Sequence, residues 1–72
     1  MSQVSIEIKR IGKKLTYNLN DQQHEFKPVL NPKIYPLFCM EMVSEKLTND
    51  LGAKQYKLSC ITPDNWHLEL TI

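Results

Sequence analysis
VSIEIKRIGKKLTYNL, residues 4–19, decides how the rest of the chain is read. Val4, Ile6 and Ile8 alternate with Ser5, Glu7 and Lys9, and Leu15, Tyr17 and Leu19 alternate with Lys14, Thr16 and Asn18. A period of two marks a strand with one buried face. With Ile11 and Gly12 at the centre of the turn, Ile8 faces Leu15, Ile6 faces Tyr17 and Val4 faces Leu19. Directly opposed residues share a face, so all six apolar side chains fall on one side. Residues 3–19 are therefore predicted to form a β-hairpin with an even-length loop, Gly12 supplying the positive φ that such turns need.

A second hairpin is predicted at the other end. Tyr56, Leu58 and Cys60 alternate, as do Trp66, Leu68, Leu70 and Ile72. Pro63 is preset for a type I turn, Asp64 suits the next position, and Asn65 tolerates a left-handed conformation. A three-residue loop of Pro63, Asp64 and Asn65 pairs Cys60 with Leu68, Leu58 with Leu70 and Tyr56 with Ile72. The opposite face, with Lys57, Ser59, Ile61, His67, Glu69 and Thr71, is expected to be the wet one.

Between the hairpins, Met40, Val43, Leu47 and Leu51 recur at helical spacing, with Phe38 and Cys39 beside them and Gly52 as C-cap. The helix is predicted over 34–51. Its start has two candidates, Pro36 in the first turn or an earlier Asn31-Pro32 cap. Residues 20–33 read as a connector whose Phe26, Val29 and Leu30 cover an edge of the core. The order strand, strand, helix, strand, strand predicts one α+β domain over residues 1–72, of ββαββ type. A four-stranded sheet carries the helix on its apolar face, and a right-handed crossover sets the terminal strands side by side and parallel at the centre. The strands before and after the helix become the edges.

That arrangement resembles the β-grasp fold of ubiquitin-like proteins and of the immunoglobulin-binding domains of protein G. The opening IEIKRIGKKLTYNL is similar to a ubiquitin first hairpin, and the closing WHLELTI to a ubiquitin-type last strand. The chain departs from the conjugated members in ending Leu70-Thr71-Ile72 without Gly-Gly, so ubiquitin-like ligation is not expected. TYNLNDQQHEFKP, residues 16–28, is similar to the segment before the first helix of Tctex-type dynein light chains, which carry two helices where this sequence patterns one.

The arithmetic narrows the function. Seventy-two residues allow one domain with a small core. Hydrophobic residues make up 42% and charged residues 24%, which excludes a disordered tail. No apolar run is long enough to span a membrane, and the alternating N-terminus is unlike a signal peptide. Two cysteines do not make a disulfide scaffold and fit a reducing compartment, here the cytoplasm. No phosphate loop, GxSxG elbow or HExxH motif occurs. Cys39, Cys60, His24 and His67 are scattered singly rather than in the close pairs zinc sites use, so no metal or cofactor is expected. The two thiols read as buried and inert, with a Cys39–Cys60 disulfide as the alternative. Asp64 reads as a turn residue and His67 as a solvated sheet residue rather than an acid–base pair.

The net charge of +1 conceals a polarity. Residues 1–36 hold six basic and three acidic side chains, a net of +3, and residues 37–72 hold three and five, a net of −2. Lys9, Arg10, Lys13 and Lys14 crowd the first hairpin tip around the apolar Ile11. The second-hairpin strand near Ile61 presents an edge guarded only by Lys57. These features point to a non-enzymatic protein-interaction module, a regulator or inhibitor of a larger complex, whose partner is another protein or a second copy. Its contacts would be Lys9, Arg10, Ile11, Lys13, Lys14 and Ile61. The alternative is a nucleic-acid-binding module using the basic hairpin.

Overall fold
Alternation and turn chemistry build three hairpin connections rather than two. A computed structural model describes residues 2–72. The elements are β1 (Gln3–Ile11), β2 (Lys14–Leu19), β3 (Gln22–Phe26), α1 (Pro36–Leu51), β4 (Gln55–Thr62) and β5 (Asn65–Thr71). The strands form one five-stranded sheet in the order β3-β2-β1-β5-β4, with every neighbouring pair antiparallel. Helix α1 packs on one face of it, giving a small α+β domain. Among the described residues, no helix is long and apolar enough to cross a membrane.

The third strand lies where the sequence reads as a connector. Asn20 and Asp21 both take positive φ, 54° and 63°. That is the pattern of a type I′ hairpin turn, and Asn and Asp tolerate it better than other non-glycine residues. The turn folds Gln22–Phe26 back on β2, with Leu15 opposite Phe26 and Tyr17 opposite His24, their rings stacked with centroids 5.3 Å apart.

This extra strand overturns the β-grasp arrangement. With two strands before the helix, the chain would leave the sheet at the end where β1 starts, and the last strand would run parallel to the first. With three, it leaves at the opposite end, so α1 and everything after it reverse. The terminal strands are indeed central neighbours, but they are antiparallel, with Ile6 opposite Leu68 and Ile8 opposite Trp66. The sheet has five strands instead of four. Its edges are β3 and β4, so β4 is an edge as expected whereas β2 is covered.

Both outer hairpins are displaced by two residues from the expected register. Ile8 faces Tyr17 and Arg10 faces Leu15, so the turn centres on Gly12 and Lys13. A turn centred on Ile11 and Gly12 would ask a β-branched residue for positive φ, whereas here only Gly12 takes it, at 64°. In the second hairpin Cys60 faces Trp66, Leu58 faces Leu68 and Tyr56 faces Leu70, with a bulge between Cys60 and Thr62. An even slip keeps the strand residues on their expected faces, but Cys60 and Ile72, both assigned to the apolar face, are exposed and outside the core.

That core joins Ile6, Ile8, Leu15, Tyr17, Trp66, Leu68 and Leu70 of the sheet to Cys39, Met40, Val43 and Leu47 of α1. Ser44 is also fully buried, and its hydroxyl donates to the Met40 carbonyl at 2.7 Å. Of the two candidate helix starts Pro36 is the one used, two residues later than the expected residue 34, and Asn31-Pro32 forms a separate turn ahead of it. The Asn31 side chain accepts from the Lys33 N–H at 2.9 Å and its carbonyl accepts from Tyr35, closing a turn. The helix proper begins at Pro36, which has no N–H to continue that turn. At the other end Gly52 (φ 66°) closes the helix by donating to Asn49, and Ala53 donates to Thr48. Val29 and Leu30 do not cover the core edge as expected: both are exposed, whereas Phe26 packs against it.

Candidate partner-binding site
The antiparallel order brings two turns to one end of the sheet, Gly12-Lys13 and Pro63-Asp64, and fastens them together. The Arg10 N–H donates to the Asp64 carbonyl at 2.9 Å. Its guanidinium Nε donates to the Asp64 carboxylate at 2.7 Å and Nη1 to the Gly12 carbonyl at 2.7 Å. The Arg10 guanidinium holds the Asp64 carboxyl below its usual value. Arg10 is thus a tie between the hairpins, with little of its charge left for a partner.

The other basic residues surround Ile11, which is 53% exposed. A shallow hollow of about 420 Å³ is lined by Ile11, Lys13, Lys14, Lys27 and Pro28. A second, about 390 Å³, lies on the helix-free side of the sheet against Glu7, Lys9, Ile11, Thr16, Tyr17, Asn18 and Gln23. Ile11 lines both. Lys14 pairs with Glu25 of β3, whose carboxyl it pulls down, Lys27 adding to the effect. Among the described residues Lys9, Lys13 and Lys27 have no carboxylate within ion-pairing distance.

Lys9, Ile11, Lys13 and Lys14 therefore line adjoining hollows, while Arg10 is engaged elsewhere. Ile61, 60% exposed, stands apart at the bulge of edge strand β4. Lys27 and Pro28 escape the sequence reading because residues 20–33 pattern as a loose connector. The Asn20-Asp21 pair, followed by His24 and Phe26 at a spacing of two, is the signal that would have placed them beside the tip.

The remaining chemistry-bearing residues do not converge. Cys39 is buried, as expected, and burial pushes its thiol up. Cys60 is exposed, which corrects the expectation of two buried thiols; both cysteines are free, so no disulfide joins them. At Cys60 the sheet has run past the cover that α1 supplies. His67 bridges Glu7 (Nδ1 to Oε1, 2.5 Å) and Glu69 (Nε2 to Oε1, 3.2 Å), and is separate from Asp64. Both ring nitrogens donate at once only in the imidazolium form, and the bonds to Glu7 first and Glu69 second raise the His67 pKa. Because its nitrogens serve different carboxylates, this bridge is not a shared metal site. No group of three or more His, Cys, Asp or Glu placed to hold a metal occurs among the described residues. No protein-family model, curated protein or solved structure matches the chain.

Proposed function
We propose that this protein is a small non-catalytic interaction module that binds another protein through its hairpin-tip end, as a regulator or inhibitor of a larger complex. Exposed Ile11, at the meeting of two hollows and ringed by Lys9, Lys13, Lys14 and Lys27, carries this reading. An apolar contact inside a ring of charge is the usual anatomy of a protein-binding patch. The charge selects an acidic partner surface presenting an apolar side chain. A reducing, cytoplasmic setting suits the exposed Cys60 thiol.

The unpaired lysines favour nucleic acid as a second reading. Three observations weigh against it. Arg10 and Lys14 are already paired with carboxylates. Glu7, Glu25 and Glu69 share the helix-free face with the lysines. Tyr17 and Trp66, which could have stacked on bases, are buried in the core.

Affinity capture from the native cell with wild type, Ile11→Asp and the pair Lys13→Glu/Lys27→Glu tests the proposal. Loss of one and the same protein partner in both variants, with Ile61→Arg leaving it bound, is the expected result. Binding to heparin or single-stranded oligonucleotide that falls steeply with salt, without a protein partner, would replace the first reading with the second.

A further inference from the structure
Thr16 is buried on the face of the sheet that no helix covers. Strand alternation puts it there, with Lys9 opposite on β1 and Glu25 opposite on β3, yet it is only 5% exposed. Among the described residues, its hydroxyl has no hydrogen-bond partner. Thr16 lines the second hollow together with Lys9 and with Asn18 and Gln23, which stand opposite each other and are exposed. A side chain so enclosed, lining a hollow with its hydroxyl uncommitted, offers that hydroxyl to an occupant.

The two hollows meet at Ile11. Lys14, Thr16 and Asn18 mark three successive rows of the same face, spanning about 13 Å along β2, the reach of about four residues of extended chain. Charge is graded along this groove. At the tip end Lys13 and Lys27 have no carboxylate partner among the described residues, nor has Lys9 halfway along. The carboxylates beside the groove are engaged, Glu25 by Lys14 and Glu7 by His67, which also bonds Glu69. The far end carries the uncharged Asn18 and Gln23. A polyanion laid along the whole groove meets Glu25 and Glu7. A short segment whose acidic residues stop at the tip end meets lysines instead.

We infer that the partner presents a short extended segment: acidic residues over Lys13 and Lys27, an apolar side chain against Ile11, and uncharged polar groups bonded to Thr16, Asn18 and Gln23. This rests on the hairpin tip being the partner site, and extends that site along β2 and β3. An extended segment fits the length of the groove and brings a polar group down to Thr16, which its neighbours screen from a broad surface.

Heteronuclear NMR of the isotopically labelled full chain, titrated with acetyl-Asp-Glu-Leu-Ser-Gln-amide and with the reversed sequence, tests this. One of the two directions is expected to move the amide resonances of Ile11, Thr16, Asn18, Gln23 and Lys27 saturably, with a Kd on the order of 0.1–1 mM. Acetyl-Lys-Lys-Leu-Ser-Gln-amide should produce no saturable shift. Thr16→Val, which keeps the β-branched shape, and Gln23→Glu, at an exposed position of β3, should each weaken binding about 5–10-fold, while Ile61→Arg leaves it unchanged. The absence of saturable shifts with either acidic peptide up to about 10 mM, well above that Kd range, overturns the inference. So does acidic-peptide binding that Thr16→Val and Gln23→Glu leave intact, or saturable shifts with a single-stranded oligonucleotide alone. A captured protein partner that needs Ile11, Lys13 and Lys27 but ignores Thr16→Val and Gln23→Glu would remove the segment and leave the tip site standing. A partner indifferent to all five positions would remove both.

Discussion

The two faces of the sheet are made by alternate residues of the same strands, and they obey different physics. One face, Ile6, Ile8, Leu15, Tyr17, Trp66, Leu68 and Leu70, is sealed by α1. The other carries Glu7, Lys9, Asn18, Glu25, His67 and Glu69 in water, held by charge-assisted bonds that solvent screens. Neighbours in sequence such as Leu68 and Glu69 should therefore differ widely in their tolerance to change.

Leu68→Ala should cost the most. Leu68 is fully buried on a central strand, opposite Ile6 on one side and Leu58 on the other. Its truncation should cost about 2–5 kcal/mol. That is comparable with the whole stability of so small a domain, about 3–5 kcal/mol, so urea unfolding should find the variant largely unfolded at 25 °C. Glu69→Ala next to it should keep a cooperative transition near wild type. Equal losses at the two positions would erase the distinction between the faces.

Trp66 gives an intermediate effect. Its indole N–H donates to the Pro63 carbonyl at 3.1 Å, tying the core face to the tip. Trp66→Phe keeps most of the apolar burial and loses that bond, so a loss of about 1 kcal/mol is expected in chemical denaturation.

The smallest effect depends on pH and belongs to the open face. His67 titrates above its ordinary value near 6.5 in the folded state because Glu7 and Glu69 accept from its ring. Protonation thus favours folding. The stabilisation is complete below the unfolded-state pKa and disappears as pH rises through the folded-state value. Melting temperatures of wild type and His67→Gln between roughly pH 5.5 and 8.5 should differ most at the acid end and converge at the alkaline end. A gap that widens with pH would mean that the bridge does not stabilise the charged ring.

The legible parts of this protein are those governed by alternation. Each apolar residue assigned to the inward face of the first hairpin lies inward. In the second hairpin Tyr56, Leu58, Trp66, Leu68 and Leu70 lie against the core, whereas Cys60 runs beyond the helix and Ile72, past the end of β5, is exposed. The helix is recognisable because Met40, Val43 and Leu47 repeat at its period and Gly52 ends it. The β3 strand is illegible because Gln22–Phe26 offers only His24 and Phe26 inward, too weak a pattern beside a strong neighbour. Lys27 and Pro28 drop out of the candidate site with it. The exposure of Phe38 and Met42 is equally hidden, because periodicity does not say how much of a helix a small sheet can cover.

Periodicity alone settles which side chains share a face, since a period of two survives any even shift in pairing. Registers are settled only in three dimensions, because the turns had to place positive φ on Gly12 and avoid it on Ile11. The direction of half the strands is settled there too. One additional turn at Asn20-Asp21 reverses the chain once more before α1, and that reversal makes an antiparallel sheet where a parallel centre was expected. Strand direction depends on the number of preceding reversals, so a single unrecognised edge strand changes the topology while leaving the core unchanged.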